Sequence, residues 1–123
     1  VSNFINCEIA AGQDGKAEIK LAPEYSVSAP LRREYTGSAT LSARPEQLFF
    51  HENEGLAGKI TMSVFLGDFV EYEIELHNGQ TVQLNEYTKD VNEVRPDGQE
   101  VHIGFDADKV SLYVPETGEV LSC

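Results

Sequence analysis

The alternation in Val70-Glu71-Tyr72-Glu73-Ile74-Glu75-Leu76 constrains this chain more than any other feature. Successive side chains on a strand point to opposite faces, so Val70, Tyr72, Ile74 and Leu76 share one face and the three glutamates share the other. One dry face and one wet face describe a strand of an antiparallel sheet. Turn signals flank it. Gly67-Asp68 places Gly where a type II′ turn needs a positive φ, and Asn78-Gly79 is a strong hairpin signal ahead of Val82-Gln83-Leu84. The preceding strand runs from Leu56 to about Val64, with Leu56, Ile60, Met62 and Val64 in one alternating register. Residues 56–84 therefore read as a three-stranded meander.

The rest of the chain follows the same period, and helical periodicity is almost absent. Strands are expected at Phe4–Ile9, Ala17–Leu21, Ser38–Ala43, Val101–Phe105 and Val110–Val114, with turns at Gln13-Asp14-Gly15, Asp106-Ala107-Asp108 and Glu116-Thr117-Gly118-Glu119. Pro23, Pro30 and Gly37 make 22–37 a loop or an edge strand. The polar stretch 85–99 reads as a loop with one helical turn. Many short strands imply an all-β barrel or sandwich. Partly open five-stranded barrels of the oligonucleotide/oligosaccharide-binding (OB) type fit the count.

At 123 residues and 41% hydrophobic content, one domain is expected, or two very small ones. A chain this short buries only about two-thirds of its unfolded surface, so docking on a partner is a natural source of stability. No run of eighteen apolar residues spans a membrane, and no charged-then-apolar leader reads as a signal peptide. The start at Val1-Ser2-Asn3-Phe4, without Met, reads as a fragment of a longer protein. Cys7 and Cys123 are too few for a disulfide framework and are expected as free thiols in a reducing cytosol. The formal net charge is −12, and fifteen of the 21 acids lie beyond residue 50. Such a surface repels nucleic acid and anionic membranes and attracts cationic partners. Aromatics are present for a nucleic-acid-binding OB domain, but the charge has the wrong sign.

At several points the chain resembles TOBE domains. Ala43-Arg44-Pro45-Glu46-Gln47-Leu48 is similar to their RPE segment, and Val64-Phe65-Leu66-Gly67-Asp68-Phe69-Val70-Glu71-Tyr72 to their FLGD-x-xEY hairpin. Gly98-Gln99-Glu100-Val101-His102-Ile103-Gly104-Phe105-Asp106 resembles their G-x-x-V-x-x-GFD strand, Val110-Ser111-Leu112-Tyr113 their closing strand, and Ser2-Asn3-Phe4 their entry strand. The matches keep the family's order and cover nearly the whole chain, except about 24–36. The resemblance implies a single TOBE-like domain over 1–123, or two small OB-like β units (1–45 and 46–123). It implies the C-terminal regulatory domain of the ATP-binding subunit of a bacterial ABC importer for polyamines, ferric iron, phosphonates, sulfate or sugars, with polyamines or phosphonates the expected solutes. Such a domain pairs with a second copy, tunes ATP hydrolysis or senses a solute or regulator, and does no chemistry. It works at the cytoplasmic face of the membrane, beside its own ATPase domain and the permease subunits. No G-x-x-x-x-G-K-[ST] loop is present to wrap a triphosphate, so ATP and magnesium would belong to that ATPase domain. The homodimer is expected to use an apolar barrel edge.

The candidate residues follow from these motifs. Arg44, Pro45, Glu46, Gly67, Asp68 and Tyr72 lie on the family motifs, with Arg44 and Glu46 placed to organise the junction between the two β units. Arg32-Arg33 is the densest positive spot and is expected either to face solvent or to clamp an oxyanion or a neighbouring carboxylate. Glu71, Glu73 and Glu75 stand roughly 7 Å apart along a strand, too wide for close chelation by one pair, and form either a solvated face or an attractor for a polyamine or basic surface. His51, His77 and His102 are far apart in sequence, with no zinc-like spacing. Asp106-x-Asp108 lacks the Gly and distal Glu of a calcium loop. No catalytic, cofactor or metal residue is expected. Beside the importer reading stands a stand-alone solute-binding module, for an oxyanion or a polyamine.

Overall fold

In the computed structural model, residues 2–21, 25–90 and 93–123 are described. Residues 22–24 of the expected loop or edge strand at 22–37, and residues 91 and 92 of the 85–99 loop, lie outside them. The described residues form ten strands: β1 (Asn3–Ala11), β2 (Lys16–Leu21), β3 (Tyr25–Pro30), β4 (Gly37–Ala43), β5 (Leu48–His51), β6 (Leu56–Phe65), β7 (Phe69–Leu76), β8 (Thr81–Tyr87), β9 (Glu100–Phe105) and β10 (Ser111–Tyr113). Single 3-10 turns stand at Pro45–Gln47 and Thr88–Asp90. The strands make two five-stranded sheets, ordered β10-β4-β1-β2-β3 and β5-β9-β6-β7-β8. The second sheet, 48–105, is thus inserted between β4 and β10 of the first.

The meander at 56–84 forms as the alternation requires. Val70, Tyr72 and Ile74 are completely buried, Glu75 is exposed, and Glu71 and Glu73 are half-buried. The β6–β7 turn has Gly67 at φ 90, with Leu66 N–H donating to the Phe69 carbonyl at 2.9 Å. The β7–β8 loop has three residues: Gly79 N–H bonds the Leu76 carbonyl, Leu76 N–H bonds the Gln80 carbonyl, and Gly79 takes φ 91. That is a turn followed by a left-handed bulge residue, the position that favours Gly.

One expected register fails. Leu56 and Ile60 lie in the core, but the pairing of β6 with β7 shifts between Ile60 and Met62. Thr61 is the extra residue, and its Oγ1 donates to the Glu73 carbonyl (3.2 Å) and Oε1 (2.9 Å). A slip of one residue exchanges the faces of a strand. Met62 and Val64 therefore pair with Glu73 and Glu71 on the outer face instead of following Ile60 inward.

Two further elements differ from expectation. β5 is four residues long, too short to show a period, and it pairs Leu48–His51 with Phe105–His102 of β9. Residues 85–87, polar enough to read as loop, are the end of β8.

The edges of the sheets are joined by long-range contacts. Between β10 and β3, the segment 120–122 pairs Val120 with Tyr113 and Ser122 with Leu31. Leu121 N–H donates to the Leu112 carbonyl, Arg32 N–H donates to the Leu121 carbonyl, both at 2.8 Å, and the Leu121 side chain is fully buried. In the second sheet, Phe50 of β5 packs edge-on against Tyr72, with ring centroids 5.2 Å apart.

The two sheets meet where β1 passes β8. Asn3 is buried, its Nδ2 donates to the Gln83 carbonyl, and its Oδ1 accepts from the Gln83 N–H, both at 2.8 Å. A side-chain amide thereby does what a neighbouring strand would do. Gln80 reinforces the contact through Asn6 N–H (3.0 Å) and the Phe4 carbonyl (3.3 Å). Asn3→Ala leaves the Gln83 backbone groups without these partners and should cost about 2 kcal/mol. Urea unfolding should show a lower midpoint at an unchanged slope. An unaltered midpoint would show that the amide clamp is not structural.

Candidate functional site

The motif residues divide into those that build the frame and those that face outward. At the crossing between the sheets, Pro45 is buried, while Arg44 and Glu46 are exposed. The junction bonds join the Arg44 backbone to Gln47, which the motif reading did not single out. Its Oε1 accepts from Arg44 N–H at 2.8 Å, its own N–H donates to the Arg44 carbonyl at 2.9 Å, and its Nε2 donates to the Lys109 carbonyl at 2.7 Å. Gln47 thus ties the outgoing connection, β4 to β5, to the returning one, β9 to β10. A hydrogen bond across 62 residues leaves no local pattern in a sequence.

Tyr72 is a core residue with a polar tip. Its Oη accepts from Arg95 N–H at 2.9 Å. The Arg95 guanidinium lies 4.1 Å from the Phe50 ring centroid, a cation–π contact, and its Nε is 3.7 Å from Glu86 Oε1. Gly67 and Asp68 form the tip of the β6–β7 hairpin, where Thr88 Oγ1 donates to both of their carbonyls.

The arginine pair grips this chain's own C-terminal segment. Arg33 makes a bidentate pair with Glu119, both bonds at 2.8 Å, and Arg32 Nε donates to the Ser122 carbonyl at 2.8 Å. The Arg33 guanidinium also lies 5.4 Å from the Tyr35 ring centroid. Its bond holds the Glu119 carboxyl below its ordinary range. The pair is open to water, where such pairs add little to stability. Its consequence is positional: it fixes the segment that joins β10 to β3. Beside it, an open cleft of about 420 Å³ is lined by Gly12, Gly15, Lys16, Arg33 and Tyr35.

The outer face of β6, β7 and β8 combines acids with exposed apolar groups. Glu71, Glu73 and Glu75 stand in line, with Val64, Met62 and Lys59 opposite them on β6 and Asn85, Gln83 and Thr81 on β8. At the hairpin end, Phe65, Leu66 and Tyr87 are exposed as well. Folding also sets His51 opposite His102 across β5 and β9, a pairing that sequence distance hides. His51 Nε2 lies 3.4 Å from Glu54 Oε1. Among the described residues, no group of three or more His, Cys, Asp or Glu side chains could hold a metal ion. Among the described residues, no helix is long and apolar enough to cross a membrane.

Comparison with known proteins agrees with this architecture. The TOBE domain family model matches residues 41–112. The Fe(3+) ions import ATP-binding protein FbpC of Brucella abortus (strain 2308) is 32% identical over 81 residues, which are 64% of this chain and 23% of that protein. The protein of the same name from Rhizobium etli is 30% identical over 113 residues, 90% of this chain and 31% of that protein. The spermidine/putrescine import ATP-binding protein PotA of Ruegeria pomeroyi is 26% identical over 107 residues, 85% of this chain and 29% of that protein. The matched part is thus at most about a third of the length of these relatives. A crystal structure of the cytoplasmic molybdate-binding protein ModG, with molybdate bound, has the same fold: TM-score 0.71 at 15% identity, covering 92% of this chain and 96% of that one. The expected all-β, OB-like, TOBE-type fold is therefore the fold observed.

Two outcomes follow from this geometry. Arg33→Ala should leave the thermal midpoint nearly unchanged but speed hydrogen exchange at the Arg32 and Leu121 amides; equal exchange rates in variant and parent would remove the clasp from the account. Cys7 is buried, and desolvation pushes its thiol up to about 12, whereas Cys123 is exposed. At pH 8 a maleimide should therefore modify the native chain once, at Cys123, and twice only after unfolding. Rapid double modification of the native chain would contradict the buried position of Cys7.

Proposed function

Because the chain belongs to the TOBE domain family, we propose that it is the regulatory domain of the ATP-binding subunit of an ABC importer, and that it performs no chemistry itself. The observation that carries this reading is the family match over 41–112, joined to relatives named as import ATP-binding proteins and matched over less than a third of their length. ATP and magnesium belong, on this reading, to an ATPase domain elsewhere in the same subunit. The domain sits on the cytoplasmic side, next to the permease subunits, and pairs with a second copy. Ferric iron and polyamines are the solutes named for the relatives, and either suits an importer whose selectivity rests on other subunits.

The two sheets suit such a role. They are two five-stranded sheets locked by Gln47 and by Asn3 into one frame, which can transmit a displacement better than a flexible appendage. Arg44 and Glu46, exposed beside that junction, are placed to meet an adjoining domain. A second reading is a module that binds an oxyanion. It is favoured by the cleft with Lys16 and Arg33, in a fold shared with a molybdate-bound protein.

Light scattering across a range of concentrations, followed by calorimetric titration with spermidine, ferric citrate and molybdate, separates these readings. The regulatory reading expects a mass near twice 13.6 kDa and no heat with any solute. A monomer that releases heat with molybdate would replace it with the solute-binding module.

A further inference from the structure

Beyond that role, we propose that the outer face at the hairpin end of β6 and β7 docks an extended, basic segment of another polypeptide, which adds as a strand along residues 62–65 of β6. The first observation is an open sheet edge inside a sheet. β9 pairs with β6 only over Leu56–Lys59, and the last bonds on that side join Ile60 to Gln99 and Gly98. Beyond Ile60, β6 is paired by β7 alone among the described residues. Unpaired edges are usually blunted by Lys, Pro or inward-pointing charge. Met62-Ser63-Val64-Phe65 carries none of these; a bulge, another such device, stands beside it at Thr61.

The second observation is the apolar cover. Met62 and Val64 are 49% and 39% exposed on the outer face, and Leu66 at the hairpin tip and Tyr87 at the end of β8 are each 49% exposed; Phe65 is exposed too, but it pairs with Val70 and so lies on the other face of β6. The bulge at Thr61 brings Met62 and Val64 to the outer face. Contiguous exposed apolar side chains rimmed by polar ones mark interaction surfaces.

Charge selects the occupant. Glu71 and Glu73 stand beside Val64 and Met62, and Thr61 holds the Glu73 carboxylate in place. Adjacent strands lie about 4.8 Å apart, so an added strand would run about 10 Å from β7, a gap that a Lys or Arg side chain and a Glu side chain span together. A basic segment with apolar residues at alternate positions satisfies the edge, the apolar cover and the acids at once. A second copy offers an acidic face to an acidic face, and most of the chain's 21 acids lie in the same half of the sequence as this surface.

The test uses the whole chain and a fluorescein-labelled nonapeptide alternating lysine and valine, with a glutamate–valine peptide as control, read by fluorescence anisotropy. The lysine peptide should bind saturably and weaken about tenfold between about 50 and about 300 mM sodium chloride. Val64→Lys should weaken binding at least about tenfold, because an edge Lys opposes strand addition and repels the peptide. Glu71→Gln with Glu73→Gln should weaken binding and flatten its salt dependence, and Phe4→Ala, exposed on the other sheet, should change nothing. If Val64→Lys unfolds the chain, Met62→Ser serves in its place. Equal binding of the glutamate peptide, or binding indifferent to these substitutions, would overturn the proposal. So would a dimer that Val64→Lys dissociates, since the surface would then belong to a second copy.

Discussion

The backbone pairing of Leu121 with Leu112 and Arg32 is the interaction on which the rest of the structure depends. A curled five-stranded sheet has two edges, and each edge strand holds a row of backbone groups that need partners. In the first sheet these edges are β10 and β3, and 120–122 runs between them with Leu121 buried at the seam. Because this sheet takes strands from both ends of the described chain, everything from β5 to β9 is held between two fixed crossings. Gln47 bonds one crossing to the other, and Asn3 fastens β1 to β8.

How much of this could be read from the sequence depended on distance along the chain. β7 was legible because burial and exposure alternate there without interruption, and the Gly67 turn because only a positive φ explains Gly in that place. The inward face of β6 was misjudged beyond Ile60, since one unpaired residue, Thr61, reverses the pattern without changing composition. β5 was too short to show a period. Among the candidate residues, Arg32 and Arg33 were visible as a charge pair, but Glu119 lies 86 residues from Arg33, and no local rule connects them. Arg44 and Glu46 drew attention through the family motif, whereas the junction bonds belong to Gln47, whose role appears only when Lys109 comes beside it.

The frame matters to function because it decides which residues remain outside. Pro45, Tyr72 and Asn3 are consumed by packing. Among the surfaces left outside are the acidic and apolar face of the second sheet, the cleft beside Arg33, and Arg44 with Glu46 at the junction. The chain belongs to the TOBE family, and the regulatory role proposed above would use this frame as a rigid body that communicates through its surfaces. The surplus of acids beyond residue 50 turns that face toward basic surfaces and away from nucleic acid.

The most direct measurement is the rate of ATP hydrolysis by the longer subunit to which the account assigns this chain, purified with its permease, with and without these residues. The shortened subunit should still hydrolyse ATP, at a rate that no longer responds to the transported solute as the intact complex does. Identical rates and identical responses in the two complexes would contradict a regulatory role.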